Sequence, residues 1–251
     1  GLRAMGRRRT RALGPVHRLR KRVGRRMRDK NSSAQVRRDD TGEWEVAFRS
    51  GFASILGGGD GPALTIPDVV KVGGRESQVR VVGARAFRGR NLASVTLPET
   101  LVFIDGFAFE RNNLTTVSIP PSVTGIADFA FKDNALTEVR FSEGITWIGG
   151  WAFADNDLRQ IALPASVTGI FRGAFSSNEL ERIDFAGAVR AIEAEAFAAQ
   201  YSSRVLPVAL IELRDAAGAV WDGLTVTGPM SISGAPALVR PGRHGRARAT
   251  A

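Results

Sequence analysis

No cysteine occurs among the 251 residues, so neither a disulfide framework nor a thiolate metal site is available, although a chain without disulfides can still work outside the cell. Histidine is nearly as scarce. His17 and His244 lie in the two ends, and the acids of the body, spread along the chain, have no convergent partner base for nucleophilic or general acid–base catalysis. A chain that is not an enzyme, with no cofactor and no metal site, is expected. No run of 18 or more apolar residues is present, so no segment reads as a transmembrane helix. The stretch "RALGPVHRLRKRV" breaks each short apolar patch with a charge, and no secretory signal is visible in it. The chain opens at Gly1 rather than Met, as a fragment or processed form does, which gives the missing signal little weight.

The formal charge of +10 belongs to the ends. Residues 1–38 carry 15 Lys or Arg against Asp29 alone, and residues 240–251 carry four Arg and no acid. Between them, residues 39–239 hold 16 bases and 24 acids, so 16 − 24 = −8. Arms and body are therefore separate problems. The boundaries that follow are a disordered Arg-rich arm over 1–40, an N-terminal β cap over 41–78, repeats over 79–205, a C-terminal cap over 206–235 and a disordered basic tail over 236–251. The arm has too few apolar groups to fold alone. Its charge suits nucleic-acid phosphates or an anionic surface, without aromatic side chains to stack on bases. Arginine with hardly any lysine is equally what translated GC-rich flanking sequence looks like, in which case the arm has no role.

What the body has in abundance is repetition. "DGFAFERNNLTTVSIPPSVTGI" (105–126) is followed by "ADFAFKDNALTEVRFSEGITWI" and "GGWAFADNDLRQIALPASVTGI". Ala-Phe recurs at Phe87, Phe109, Phe131, Phe153, Phe175 and Phe197, always 22 residues apart. Leu92, Leu114, Leu136, Leu158 and Leu180 keep the same step, as do Val82, Ile104, Ile126, Ile148, Ile170 and Ile192. A period in the twenties with this pattern predicts a solenoid. The apolar groups of one coil, at roughly 1.5–3 kcal/mol each when buried, do not offset the backbone entropy of 22 residues, so each coil needs its neighbours.

Within a coil, "LTTVSIP" alternates inward Val117 and Ile119 with outward Thr116 and Ser118, which predicts a strand ended by proline. "VTGI" predicts a second, shorter one leading to the turn that carries the phenylalanine. Asn112, Asn134, Asn156 and Asn178 share a turn column and are expected to hydrogen-bond exposed backbone of the adjacent coil. Phe107, Phe129 and Trp151 form another column, read as packing at the core edge ahead of a partner anchor. Arg159 and Glu181 are an expected pair between coils, and Glu193 and Glu195 are read as solvated carboxylates. Gly57, Gly58, Gly59 and Gly61 are read as a flexible hairpin loop, since no Gly-Lys-Ser/Thr follows. After the sixth coil, "LIELRDAAGAVWDGLTVTG" is read as a terminal hairpin.

With columns of the form L-x-x-V-x-I-P, V-x-x-I and A-F-x-x-N, the repeat resembles the BspA-like class of bacterial leucine-rich repeats. The resemblance covers Phe87 to Phe197 and extends back to Trp44 through the lead-in. It implies a β-rich, right-handed solenoid of about six 22-residue coils with β caps, no catalytic motif residue, and a place among cell-surface or secreted proteins that bind host proteins, matrix proteins or other cells. Ser142 and Ala186 stand where the family has proline and should loosen local turns. The outward residues Thr116, Ser118, Glu138, Arg140, Gln160, Arg182 and Asp184 are the candidate partner-binding set, on coils about 4.7–4.9 Å apart where they pair as a sheet. A monomer that binds a protein through this face is the expectation.

Overall fold

The structure is a computed structural model, and it describes residues 36–49, 51–180, 182–187, 189, 191–193, 195–197, 212–214 and 226–227. The described chain from Val79 on is wound, as its 22-residue period requires, into stacked coils with a short strand on each of two sides. On one side lie the face strands β7 (Ser94–Thr96), β9 (Thr116–Ile119), β11 (Glu138–Phe141), β13 (Gln160–Leu163), β15 (Arg182–Phe185) and β17 (Glu212–Arg214). On the other lie the inner strands β8 (Phe103–Ile104), β10 (Gly125–Ile126), β12 (Trp147–Ile148), β14 (Gly169–Ile170), β16 (Ala191–Glu193) and β18 (Val226–Thr227). Among the described residues there is no helix.

The phenylalanines fill the axis. Phe87, Phe109, Phe131, Phe153, Phe175 and Phe197 are buried and stacked in sequence, with ring centroids 5.4, 5.1, 5.2, 5.4 and 5.6 Å apart. The alanine before each ring is buried too, and its carbonyl accepts the amide of the phenylalanine one coil back, at 2.8 Å for each of the five pairs. A larger side chain there would hold the coils apart. The turn is built from left-handed backbone: Arg85, Phe107, Phe129, Trp151, Gly173 and Glu195 have φ between 52° and 63°. That column is set by the turn, whatever side chain stands in it.

The cap is larger than the sequence suggests. β1 (Val36–Arg38), β2 (Trp44–Arg49), β3 (Phe52–Gly58), β5 (Val69–Val72) and β6 (Arg75–Val82) join the inner strands, while β4 (Ala63–Thr65) pairs with β7. Among the described residues strand structure thus begins at Val36, inside the stretch assigned to the arm, because Val36 to Arg38 pair antiparallel with Glu45 to Ala47. Trp44 closes the end of the phenylalanine stack, edge-on to Phe87 at 6.4 Å. The glycine run is not a hairpin loop, since β3 pairs with β2 and β6 and β4 pairs elsewhere. It is held in place: Arg90 donates to the carbonyls of Gly58 and Gly59 at 3.1 and 2.7 Å, and a Cβ on Gly58 (φ 118°) would stand 2.2 Å from Glu43 O.

At the far end, β17 runs parallel to β15 and β18 parallel to β16. The two strands extend the stack instead of pairing with each other as a hairpin. The expected turn at Ala216–Gly218, the arm up to residue 35 and the tail from 236 lie outside the described residues.

Candidate functional site

The face strands hold the predicted set where the alternation puts it. Val117, Val139, Ile161 and Ile183 point into the core, and Thr116, Ser118, Glu138, Arg140, Gln160 and Arg182 are exposed, with Asp184 half-buried. The charges are satisfied along each strand rather than between coils. Arg140 Nε donates to Glu138 Oε1 at 2.7 Å, and Arg182 Nε reaches Asp184 at 2.9 Å. The bond to Arg140 holds the Glu138 carboxyl below its ordinary range and raises the arginine. Such exposed pairs contribute little stability, but they leave the face without net charge at either strand.

The face is not one ladder. β4 pairs with β7, β9 with β11, β13 with β15 and β15 with β17, whereas neither β7 and β9 nor β11 and β13 share a ladder. The unbroken sheet is the inner one, which runs from β1 to β18. Periodicity cannot show this, since both strand columns repeat equally well in the sequence.

The asparagine column does what its spacing predicts. Asn156 Nδ2 donates to the carbonyls of Phe131 and Phe153 at 3.0 and 3.1 Å, and its Oδ1 accepts Leu136 N at 3.0 Å. Asn112, Asn134 and Asn178 repeat the pattern. Phe107, Phe129 and Trp151 are half-buried and stack at 4.7 and 5.3 Å, so their ring faces serve each other. Arg85 lies over Phe107 at 5.2 Å and Arg172 over Trp151 at 5.8 Å. One charge assignment changes and one lies beyond test. Arg159 pairs with Glu179 at 3.1 Å, and Glu181 lies outside the described residues. Glu193 and Glu195 are engaged by Arg172, through its amide at 3.1 Å and its guanidinium at 2.8 Å, and Glu195 raises the arginine.

Among the described residues no His, Cys, Asp or Glu cluster has the makings of a metal site, and no helix is long and apolar enough to cross a membrane. Coils bound through an asparagine turn, with alanine and phenylalanine repeating inside, match the family model described as the BspA type leucine rich repeat region, six copies over residues 80–204. Residues 80–204 are BspA-type leucine-rich repeats. This repeat family is in general non-catalytic. Among solved structures the chain is similar to the pneumococcal vaccine antigen PcpA (18% identity, 62% of this chain and 51% of that one, TM-score 0.47) and to a leucine-rich repeat protein from Bacteroides ovatus (24%, 62% and 49%, 0.46). It is also similar to the leucine-rich repeat protein of T. pallidum (18%, 70% and 91%, 0.49). The match spans about half the length of the first two. No curated protein matches the chain.

Proposed function

We propose that this BspA-type array is a non-catalytic binding module of a bacterial cell-surface or secreted protein, and that it adheres to a host or matrix protein through its strand face. The observation that supports this is the face itself. Rigid strands present two columns of polar side chains whose charges are already paired within β11 and β15, so a protein surface can cover them without stranding a charge. Repeats make such extended surfaces better suited to proteins than to small molecules. The surface setting is carried over from the family.

The test uses the full chain with a photo-crosslinking residue at Gln160 on the face or at Arg172, beyond the inner strands, exposed to purified matrix proteins and to serum proteins. An adduct that forms from Gln160 and not from Arg172 supports the reading. Adducts from Arg172 alone, or from both equally, overturn it. The charge split favours a second, separable reading, in which residues 3–38 bind nucleic acid or an anionic surface. That binding should disappear both on removing 1–38 and at high salt.

A further inference from the structure

The break between β7 and β9 leaves a cleft of about 290 Å³ on the strand face. The coils are joined on either side of it. Asn113 N donates to Leu92 O at 2.8 Å just before the strands, and β8 pairs with β10 behind them. Val95 and Val117 line the cleft, Ser94, Thr96, Thr116 and Ser118 rim it, and Glu99 is its one charged lining residue. The four rim residues are exposed, and among the described residues their hydroxyls make no hydrogen bond. Several hydroxyls elsewhere on the coils are used. Thr146 and Thr168 donate to the carbonyls of Thr124 and Thr146 at 2.8 and 3.0 Å, and Ser122 to Leu101 O at 2.6 Å. At the second break, Phe141 puts apolar bulk against Phe153 and Phe175, edge-on at 5.5 and 6.5 Å.

We propose that the β7/β9 cleft receives an extended, uncharged peptide segment of the protein partner, one aliphatic side chain resting on Val95 and Val117 while the four hydroxyls bond its main chain. The proposal rests on the strand-face reading above and names the chemistry of its partner. Three features point to that occupant. An extended chain offers alternating N–H and C=O groups, and a hydroxyl donates to one or accepts from the other. β7 and β9 share no ladder at the break, so an occupant lying over it displaces no strand pairing. A charged side chain resting on the valines would give up water there, and an acidic one would also meet the like charge of Glu99. The volume is at the small end for a ligand pocket, which suits one side chain. No aromatic ring lines the cleft, so a sugar ring would find no flat surface to stack on.

A displayed library of random 12-residue peptides, selected on the immobilised full chain, supplies the probe. Selected peptides should be poor in charge and carry an aliphatic residue. Thr116→Trp, which fills the cleft from an exposed position, should weaken them at least about tenfold, more than 1 kcal/mol of binding. Thr96→Val, which keeps the shape and removes one hydroxyl, should weaken them less, with the thermal midpoint of both variants unchanged. Hydrogen exchange should slow at 94–97 and 116–119 on binding. If no peptide is selected, or if Thr116→Trp leaves affinity unaltered while the Gln160 adduct persists, the cleft proposal fails and the face reading stands. If the adduct fails as well, both fall. Oligosaccharides that bind an array and lose that binding with Thr116→Trp would overturn the peptide in favour of a glycan.

Discussion

Individual residues in this chain act chiefly by satisfying backbone groups that the turns leave open. Asn156 is 6% exposed and makes four hydrogen bonds to two coils. Asn156→Ala should therefore cost on the order of 1–3 kcal/mol, the penalty of leaving a buried polar group unpaired, read from urea unfolding. Gln160→Ala, exposed on the face, should lie within about 0.5 kcal/mol of wild type. Asp39 plays a similar part in the cap. Burial works against its charge, but the amide of Trp44 at 2.9 Å and the hydroxyl of Thr41 at 2.7 Å donate to the carboxylate, and these bonds hold its pKa below the ordinary value. A carboxyl depressed in the folded state stabilises it above the unfolded pKa of about 4 and loses that contribution as pH falls through the folded value. The stability difference between wild type and Asp39→Asn should accordingly be constant near pH 7 and shrink as acid titrates the group. A difference independent of pH down to about 2 would contradict it.

Strands and turns show where local pattern stops being informative. Val117, Ile119 and their 22-residue relatives announce the face strands, and the inward valines and isoleucines are buried as alternation requires. Whether adjacent strands pair is another matter, decided by the spacing of whole coils, and two of the face contacts stay open. The inner sheet is closed by a different device. The Trp147 ring lies across Gly125, where a Cβ would stand 2.4 Å from it, and meets Phe103 at 5.8 Å and Phe171 at 6.0 Å. Gly125→Ala should thus destabilise by about 1–3 kcal/mol through overpacking. Trp147→Leu in the same chain should remove part of that cost, a non-additivity that a double-mutant cycle measures. Additive costs would place the ring elsewhere. The turn after β11 also departs from the repeat. The three proline turns close with bonds from Leu101, Val123 and Val167 to the proline carbonyls at 3.0, 3.0 and 3.1 Å. At Ser142 no such bond forms, and Gly144 N donates instead to Ser166 Oγ at 3.1 Å, which ties the turn to the next coil rather than closing it on itself.

As a whole, the body behaves as a stack in which each coil shelters its neighbours. Removing one complete unit, residues 128–149, joins columns that already match, and the shortened protein should fold with a lower urea m-value because less surface is exposed on unfolding. Loss of a cooperative transition in that variant would argue against stacked, exchangeable coils. Excising 11 residues instead should abolish folding, since it puts the asparagine turn over a strand. Most of this architecture was legible beforehand, because the period, the phenylalanine axis and the asparagine column are local patterns repeated in register. The cap was only half legible. β5 and the first half of β6 carry no repeat signal, and their pairing brings Val69–Val72 against Arg75–Gln78 through a tight Gly73-Gly74 turn whose amides both donate to Asp40, at 2.6 and 2.9 Å.

The sequence by itself determined the solenoid, its 22-residue step and the inward and outward columns, because each of these depends on residue type at a fixed interval. Only the tertiary structure decided which strands pair, which hydroxyls remain free and that a cleft opens between β7 and β9. Those depend on how far apart two coils come to rest. That distance is set jointly by every ring, glycine and turn in the stack, so no single stretch of chain encodes it.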